Sequence, residues 1–362
     1  MNIFVNFVLL LLLISFVESA KHIKSIKLSK NVIYDCMDIY KQPSLLHPLL
    51  KHHNVQMKPS GWDSQLENRL VNKRHKKRIH CPSGTVPILR TKNKNVLYSQ
   101  EYSKNHFNFL TAQYPGTHIA GVRTEGKNIY RGVGARISTY DLSIGKDQSS
   151  SAHTYVATQS NDDSNSIQVG WMINERLFGN KQPWSYGSWL GKHGSGCFNV
   201  QCPGFIQVNK ENPISEPLSN VQDPLSFSIH QDKETKNWWL TNIKPFGIRI
   251  VVGYWPNELF NVLRDGADFV GYGGIVTSDP RGPSPPMGNG RLPNIDDRLW
   301  SGSIDHLNII DSNYTIVGAN DIKSVPLVDS NKCYDVYYRG YVDDDVGVSL
   351  SYGGPGGFKC GY

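Results

Sequence analysis

The sequence predicts an all-β protein built as an antiparallel β-sandwich, and three observations predict it. Beyond residue 115 the chain breaks into short β-branched and aromatic runs separated by Gly, Pro, Asn and Asp. The 33 Gly, 20 Pro and 11% aromatic residues are too many for a helical bundle of 362 residues. Charged residues make up only 19%, too few for charge-driven disorder or a coiled coil.

Taken in order, the candidate strands begin with His118–Arg123 and Tyr130–Tyr140. Ala152–Thr158 and Ser166–Ile173 follow, split by an Asn- and Asp-rich turn. Gly196–Val208 is a longer run that contains two cysteines. Leu225–Gln231 and Asn237–Thr241 flank Asp232-Lys233-Glu234-Thr235-Lys236, an insert that suits a hairpin. Ile248–Tyr254, Phe269–Thr277, Leu307–Val317 and Cys333–Tyr341 complete the set. Pro256–Asp265, with Pro just inside a polar start, is the one helix expected in this region.

The formal net charge of +7 invites a nucleic-acid or anionic-surface reading, so its placement matters. Residues 21–90 hold 14 Lys plus Arg against 4 Asp plus Glu, whereas residues 91–362 hold 24 against 26. All of the excess sits in one N-terminal stretch. Its densest part is Lys73-Arg74-His75-Lys76-Lys77-Arg78, just ahead of Cys81. Met1–Val17 is an apolar run that exits at Glu18-Ser19-Ala20, too short to span a bilayer comfortably and shaped like a secretory signal peptide cut after Ser19. In that company the basic run reads as a solvated face or a processing site, not a nucleic-acid arm. No second apolar stretch approaches 18 residues, so no membrane association is expected after signal removal.

A secreted, extracellular or cell-wall setting is oxidising, and Cys36, Cys81, Cys197, Cys202, Cys333 and Cys360 then read as disulfide partners and not as metal ligands. Six cysteines allow 15 pairings. The economical one is sequential, each pair lying inside one segment. Asn313-Tyr314-Thr315 is the one glycosylation sequon.

The chain has no G-x-S-x-G elbow, H-E-x-x-H, P-loop or Rossmann fingerprint, which removes the commonest hydrolase and nucleotide readings. Asp343-Asp344-Asp345 lacks the ordered spacing of a hard-cation loop, and neither cofactor nor metal is expected. Trp184, Trp189, Trp238, Trp239, Trp255 and Trp300 suit either core packing or a groove for peptide or sugar.

Several segments together resemble one family. Tyr34-Asp35-Cys36-Met37-Asp38-Ile39-Tyr40-Lys41-Gln42-Pro43, His47-Pro48-Leu49-Leu50 and Cys81-Pro82-Ser83-Gly84-Thr85-Val86-Pro87-Ile88 resemble the activation segment of plant neprosin-type proteins. Val169-Gly170-Trp171, Gly196-Cys197-Phe198-Asn199, Cys202-Pro203-Gly204-Phe205, Trp238-Trp239-Leu240, Val252-Gly253-Tyr254-Trp255-Pro256, Met287-Gly288-Asn289-Gly290 and Tyr352-Gly353-Gly354-Pro355-Gly356 resemble the C-terminal domain of the same family. The resemblance implies a signal peptide at 1–20, a basic, disulfide-linked activation prosegment at 21–115 and a bent, glutamic-peptidase-like β-sandwich at 116–362. It also implies a prosegment that acts as a removable intramolecular inhibitor, and the change of sequence texture places the cleavage between Thr91 and Thr117.

The activity it implies is a glutamic endopeptidase cutting after proline at acid pH. That chemistry needs two carboxyl side chains facing each other across a cleft, one activating water and one protonating or stabilising the carbonyl oxygen. The resemblance places them at Gln168, two residues before Gly170-Trp171, and at Ile275, after Gly273-Gly274; Tyr272 stands where the family usually has Trp. Both glutamates are thus replaced. A Gln amide still donates to an oxyanion, but Ile275 has no proton to give or take, and acid–base catalysis is worth roughly 10²- to 10⁴-fold. The expectation is a non-catalytic homologue that binds proline-containing peptides. The alternatives are an active endopeptidase with altered residues and a cell-wall carbohydrate-binding sandwich.

Overall fold

A computed structural model of the chain describes residues 22–62, 78–106, 115–125, 128–160, 163–218, 223–321 and 323–360. The apolar leader, most of the basic run at 73–78 and part of the stretch expected to hold the cleavage point lie outside the described residues.

The N-terminal region has elements of its own. Strands β1 (Lys24–Lys27), β2 (Ile33–Asp38) and β3 (Thr85–Leu89) form a small antiparallel sheet in that order, and helix α1 (Asn93–His106) follows. Cys36 on β2 is bonded to Cys81 just ahead of β3, so the disulfide closes the chain between two neighbouring strands. The sequence reading assigned neither sheet nor helix here. The reason is visible in α1, whose buried stripe of Ser99, Tyr102 and Ser103 has helical spacing but no aliphatic residue to announce it.

The rest of the chain supplies β4 (Thr117–Thr124), β5 (Gly132–Ile137), β6 (Ser149–Ser160), β7 (Asp163–Asn174), β8 (Trp184–Leu190), β9 (Gly196–Phe198) and β10 (Ile206–Gln207). It continues with β11 (Leu225–Gln231), β12 (Trp238–Lys244), β13 (Ile248–Trp255), β14 (Phe269–Thr277), β15 (Gly302–Ile310), β16 (Ile316–Gly318), β17 (Ser324–Val328), β18 (Asp335–Tyr341) and β19 (Val348–Gly353). Two antiparallel sheets result. A seven-stranded sheet runs β17-β4-β14-β6-β7-β8-β9, and a nine-stranded sheet runs β10-β13-β12-β11-β5-β15-β19-β18 with β16 beside β15.

Alternation decides which side chains lie between them. Ile167, Val169, Trp171 and Ile173 of β7 meet Ile229, Trp238, Leu240 and Trp255 of the other sheet in one core. Two polar handles cross it: Trp171 Nε1 donates to the Ser138 carbonyl at 2.9 Å, and Tyr272 Oη donates to the Asn308 carbonyl at 2.7 Å. Tyr272 therefore packs between the sheets.

The all-β reading holds, with three corrections. Pro256–Asp265 is not a helix; a single 3₁₀ turn forms at Asn257–Leu259, and it ends where Phe260 returns to extended backbone. Gly196–Val208 is two strands, since the Cys197–Cys202 disulfide pinches the chain into a loop between β9 and β10. Leu307–Val317 is a hairpin, reversed at Asp311, whose carboxylate accepts the Asn313 and Thr315 N–H groups. The Cys36–Cys81, Cys197–Cys202 and Cys333–Cys360 bonds are the sequential pairing.

Candidate functional site

The opposite face of the seven-stranded sheet, turned away from the core, carries both positions singled out in the sequence. Gln168 lies on β7 between Tyr155 of β6 and Ser188 of β8. Ile275 lies on β14 between Ser151 of β6 and Ile119 of β4. By alternation both point outward from the sandwich, on the same face.

They are offset along the strands. Ile275 pairs with Ser151, and Ser151 pairs with Met172, four residues along β7 from Gln168. On a flat sheet, four residues along a strand and two strands across would put the two backbones about 16 Å apart. The β14 residue in register with Gln168, across Tyr155, is Gly271. The register thus sets Gly271, and not Ile275, in line with Gln168.

Gly271 brings no chemistry of its own, and its space is taken. A Cβ there would meet Tyr155 Cζ at 2.4 Å and Oη at 2.5 Å, so the phenol ring lies directly over the glycine. Burial pushes the Tyr155 hydroxyl well above its ordinary pKa, which keeps it neutral. On the other side of Tyr155, Gln168 is fully buried; its Oε1 accepts from Ser188 Oγ at 3.4 Å, and its Nε2 has no partner among the described residues. The row reads Arg123, Gly271, Tyr155, Gln168, Ser188. Its one charged member, Arg123, stacks over Phe269 at 5.1 Å.

The next row reads Gly121, Gly273, His153, Gly170, Tyr186, and the one beyond reads Ile119, Ile275, Ser151, Met172, Trp184. Not one Asp or Glu occurs in the three rows. The carboxylates that bracket Gln168 along the chain are Asp163, at the start of β7, and Glu175, which begins the one-turn helix Glu175–Phe178 that Asn174 caps. Among the described residues no cluster of three or more His, Cys, Asp or Glu is placed to hold a metal ion.

The N-terminal segment lies on this same face. Tyr34 and Tyr102 join Met172, Trp184, Tyr186 and Phe198 in one apolar cluster. Polar contacts fix the docking: Tyr102 Oη is 2.7 Å from Ser149 Oγ, Ser99 Oγ accepts the Phe198 N–H at 3.1 Å, and Tyr34 Oη donates to the Ser215 carbonyl at 2.7 Å. A second part of the segment holds the edge of the other sheet. The Gln42 carboxamide, itself buried, donates to the Gln207 carbonyl at 3.1 Å and accepts the Gln207 N–H at 2.9 Å, as a neighbouring strand would.

Of the tryptophans read as core or groove, Trp184, Trp189, Trp238, Trp239 and Trp255 are buried, and only Trp300 is exposed. Asn313 is exposed in the turn between β15 and β16.

Family models give the comparison. A neprosin domain model matches residues 146–355, and a neprosin activation peptide model matches residues 25–124, running through β4, an interior strand of the seven-stranded sheet. Among solved structures, a scytalido-glutamic peptidase with a peptide-based transition-state analogue is 11% identical, with a TM-score of 0.36 over 65% of this chain and 97% of that one. SCP-B, an eqolisin-family peptidase in complex with the tripeptide Ala-Ile-His, is 11% identical with a TM-score of 0.34 over the same shares. A β-porphyranase from Bacteroides plebeius is 8% identical with a TM-score of 0.21, covering 42% of this chain and 54% of that one. The two family models between them take in the N-terminal segment and most of the sandwich, and the chain belongs to the neprosin family.

Proposed function

We propose that the chain is a secreted neprosin-domain proprotein that binds proline-containing peptide segments on the outer face of its seven-stranded sheet without cleaving them. The observation that carries the reading is the row through Gln168, in which Gly271 under the Tyr155 ring stands opposite the glutamine. Hydrolysis by a carboxyl pair needs one carboxylate to take a proton from water, and the three central rows of this face offer none. The N-terminal segment acts as the removable cover of the face, and Asn313, in the β15–β16 turn, is the chain's glycan acceptor after secretion.

A second reading, an active endopeptidase with altered residues, draws on one feature. The unpartnered Gln168 Nε2 is a buried donor suited to an oxyanion. One experiment separates the two. The full chain, brought to acid pH, is incubated with proline-containing peptides, and binding and cleavage are read in parallel. Saturable binding with no new termini is the expected result, and turnover by the unmodified chain abolishes the non-catalytic reading.

A further inference from the structure

The N-terminal segment covers a second surface, on the other sheet and on its far side. In the β12–β13 pair, Trp238 opposite Trp255 faces the core, so Trp239 opposite Tyr254, one step along, faces out. Outward aromatic pairs on a sandwich are ordinarily wet. Here Trp239, Tyr254, Ile206 and Val251 form a separate buried cluster, dry because Leu45, Val55 and Trp62 of the segment lie on it.

Polar groups at its border are also matched to a polypeptide. Tyr254 Oη accepts the Gln56 N–H at 2.8 Å, and Asp232 accepts the Ser60 N–H at 2.7 Å and the Gln56 side-chain amide at 2.9 Å. His53 sits between Tyr254 Oη and Glu258 Oε1, 2.8 Å from each. Once the segment is gone, this patch offers an apolar floor, a free strand edge at β10 and outward acceptors for backbone N–H groups.

We propose that this patch is a second docking surface of the released domain, and that it takes a basic, tightly turned to extended partner segment bearing proline and an aromatic residue. The occupant's chemistry is read from the segment that fills the patch now: Pro43, Pro48 and Pro59 keep it extended or tightly turned, and Trp62 and Leu45 supply the apolar anchors. Strand-edge pairing as made by Gln42 supplies the register. The inference rests on the reading that the segment is released.

The test uses the full chain with Leu45→Asp and Trp62→Ala, changes confined to the covering segment. Hydrogen exchange at β12 and β13 reports release, and exchange in the β6–β7 hairpin reports that the sandwich is intact. A fluorescent peptide of residues 42–62 is then titrated. The expected result is faster exchange at β12 and β13 alone, and saturable binding at least tenfold tighter than to the unmodified chain. A peptide carrying the same two changes is expected not to bind. Release without binding overturns the docking surface but leaves the removable cover standing. Unchanged exchange in this variant, and also in His53→Ala with Gln56→Ala, means the segment is a permanent part of the fold, and both readings fall.

Discussion

Gly271 and Tyr155 are the residues on which the site turns. A Cβ at 271 has no room while the phenol ring stays where it is. Gly271→Ala is therefore expected to cost about 1–3 kcal/mol through overpacking, and Tyr155→Ala to remove most of that increment. Urea midpoints of the two single variants and the double variant close the cycle; additive costs would mean the ring does not occupy that space. The same geometry says how carboxyl chemistry would be restored. Gln168→Glu with Ile275→Glu leaves the two carboxyls on rows four residues apart and is expected to stay inactive. Gln168→Glu with Gly271→Glu and Tyr155→Ala puts them on one row, and is expected to raise acid-pH cleavage of proline peptides by roughly 10²-fold or more. Turnover by the first combination and not the second would show the register argument to be wrong.

Elements were legible where their signal was local. Leu225–Gln231 and Phe269–Thr277 match the sequence reading residue for residue, the first because its burial alternates, the second because a β-branched and aromatic run is bounded by turn residues. β8 (Trp184–Leu190) and β19 (Val348–Gly353) were missed: both are rich in Ser and Gly and buried on both faces, so no polar alternation marks them. The facing of Gly271 and Gln168 was out of reach for another reason. It is set by how β6 registers with two partners, and register is a property of pairs of strands, not of either alone. Cysteine spacing was more informative. The Cys36–Cys81 bond closes a separation of 45 residues between two strands of a three-stranded sheet with little core of its own. By loop-closure entropy it contributes about 4 kcal/mol. Cys36→Ser with Cys81→Ser is expected to make β1 to β3 the first part to exchange its amides, while the β6–β7 hairpin keeps its protection. Equal loss in both would mean that the two regions unfold as one unit.

At the scale of the molecule the charge asymmetry and the docking chemistry combine. Among the described residues two histidine–carboxylate pairs join segment and domain, His53–Glu258 and His80–Glu211, and hydrogen bonds and apolar contacts carry the rest of both docking surfaces. Burial alone raises Glu258 and Asp232, but the hydrogen bonds they accept outweigh it. The net shift takes Glu258 below its ordinary 4.5 and Asp232 below its ordinary 3.8. A carboxyl lowered by docking stabilises the docked state fully above its free value and stops doing so as pH falls through the docked value. The segment is therefore expected to stay bound above about pH 5 and to loosen progressively below pH 4. Repulsion then adds to the loss. Residues 91–362 carry 24 Lys plus Arg whose 26 carboxylates neutralise them at pH 7 but not in acid, and the segment beside them is basic at any pH in this range. Salt should thus act with opposite visibility at the two ends. At pH 7, 1 M NaCl leaves the segment in place, because screening removes little that holds it and apolar burial is unaffected or strengthened. At pH 3 the same salt screens the repulsion and slows release. Hydrogen exchange at β12 and β13, followed against time at both pH values with and without salt, measures this directly. Release by salt at pH 7, or acceleration by salt at pH 3, would mean that long-range attraction holds the segment down.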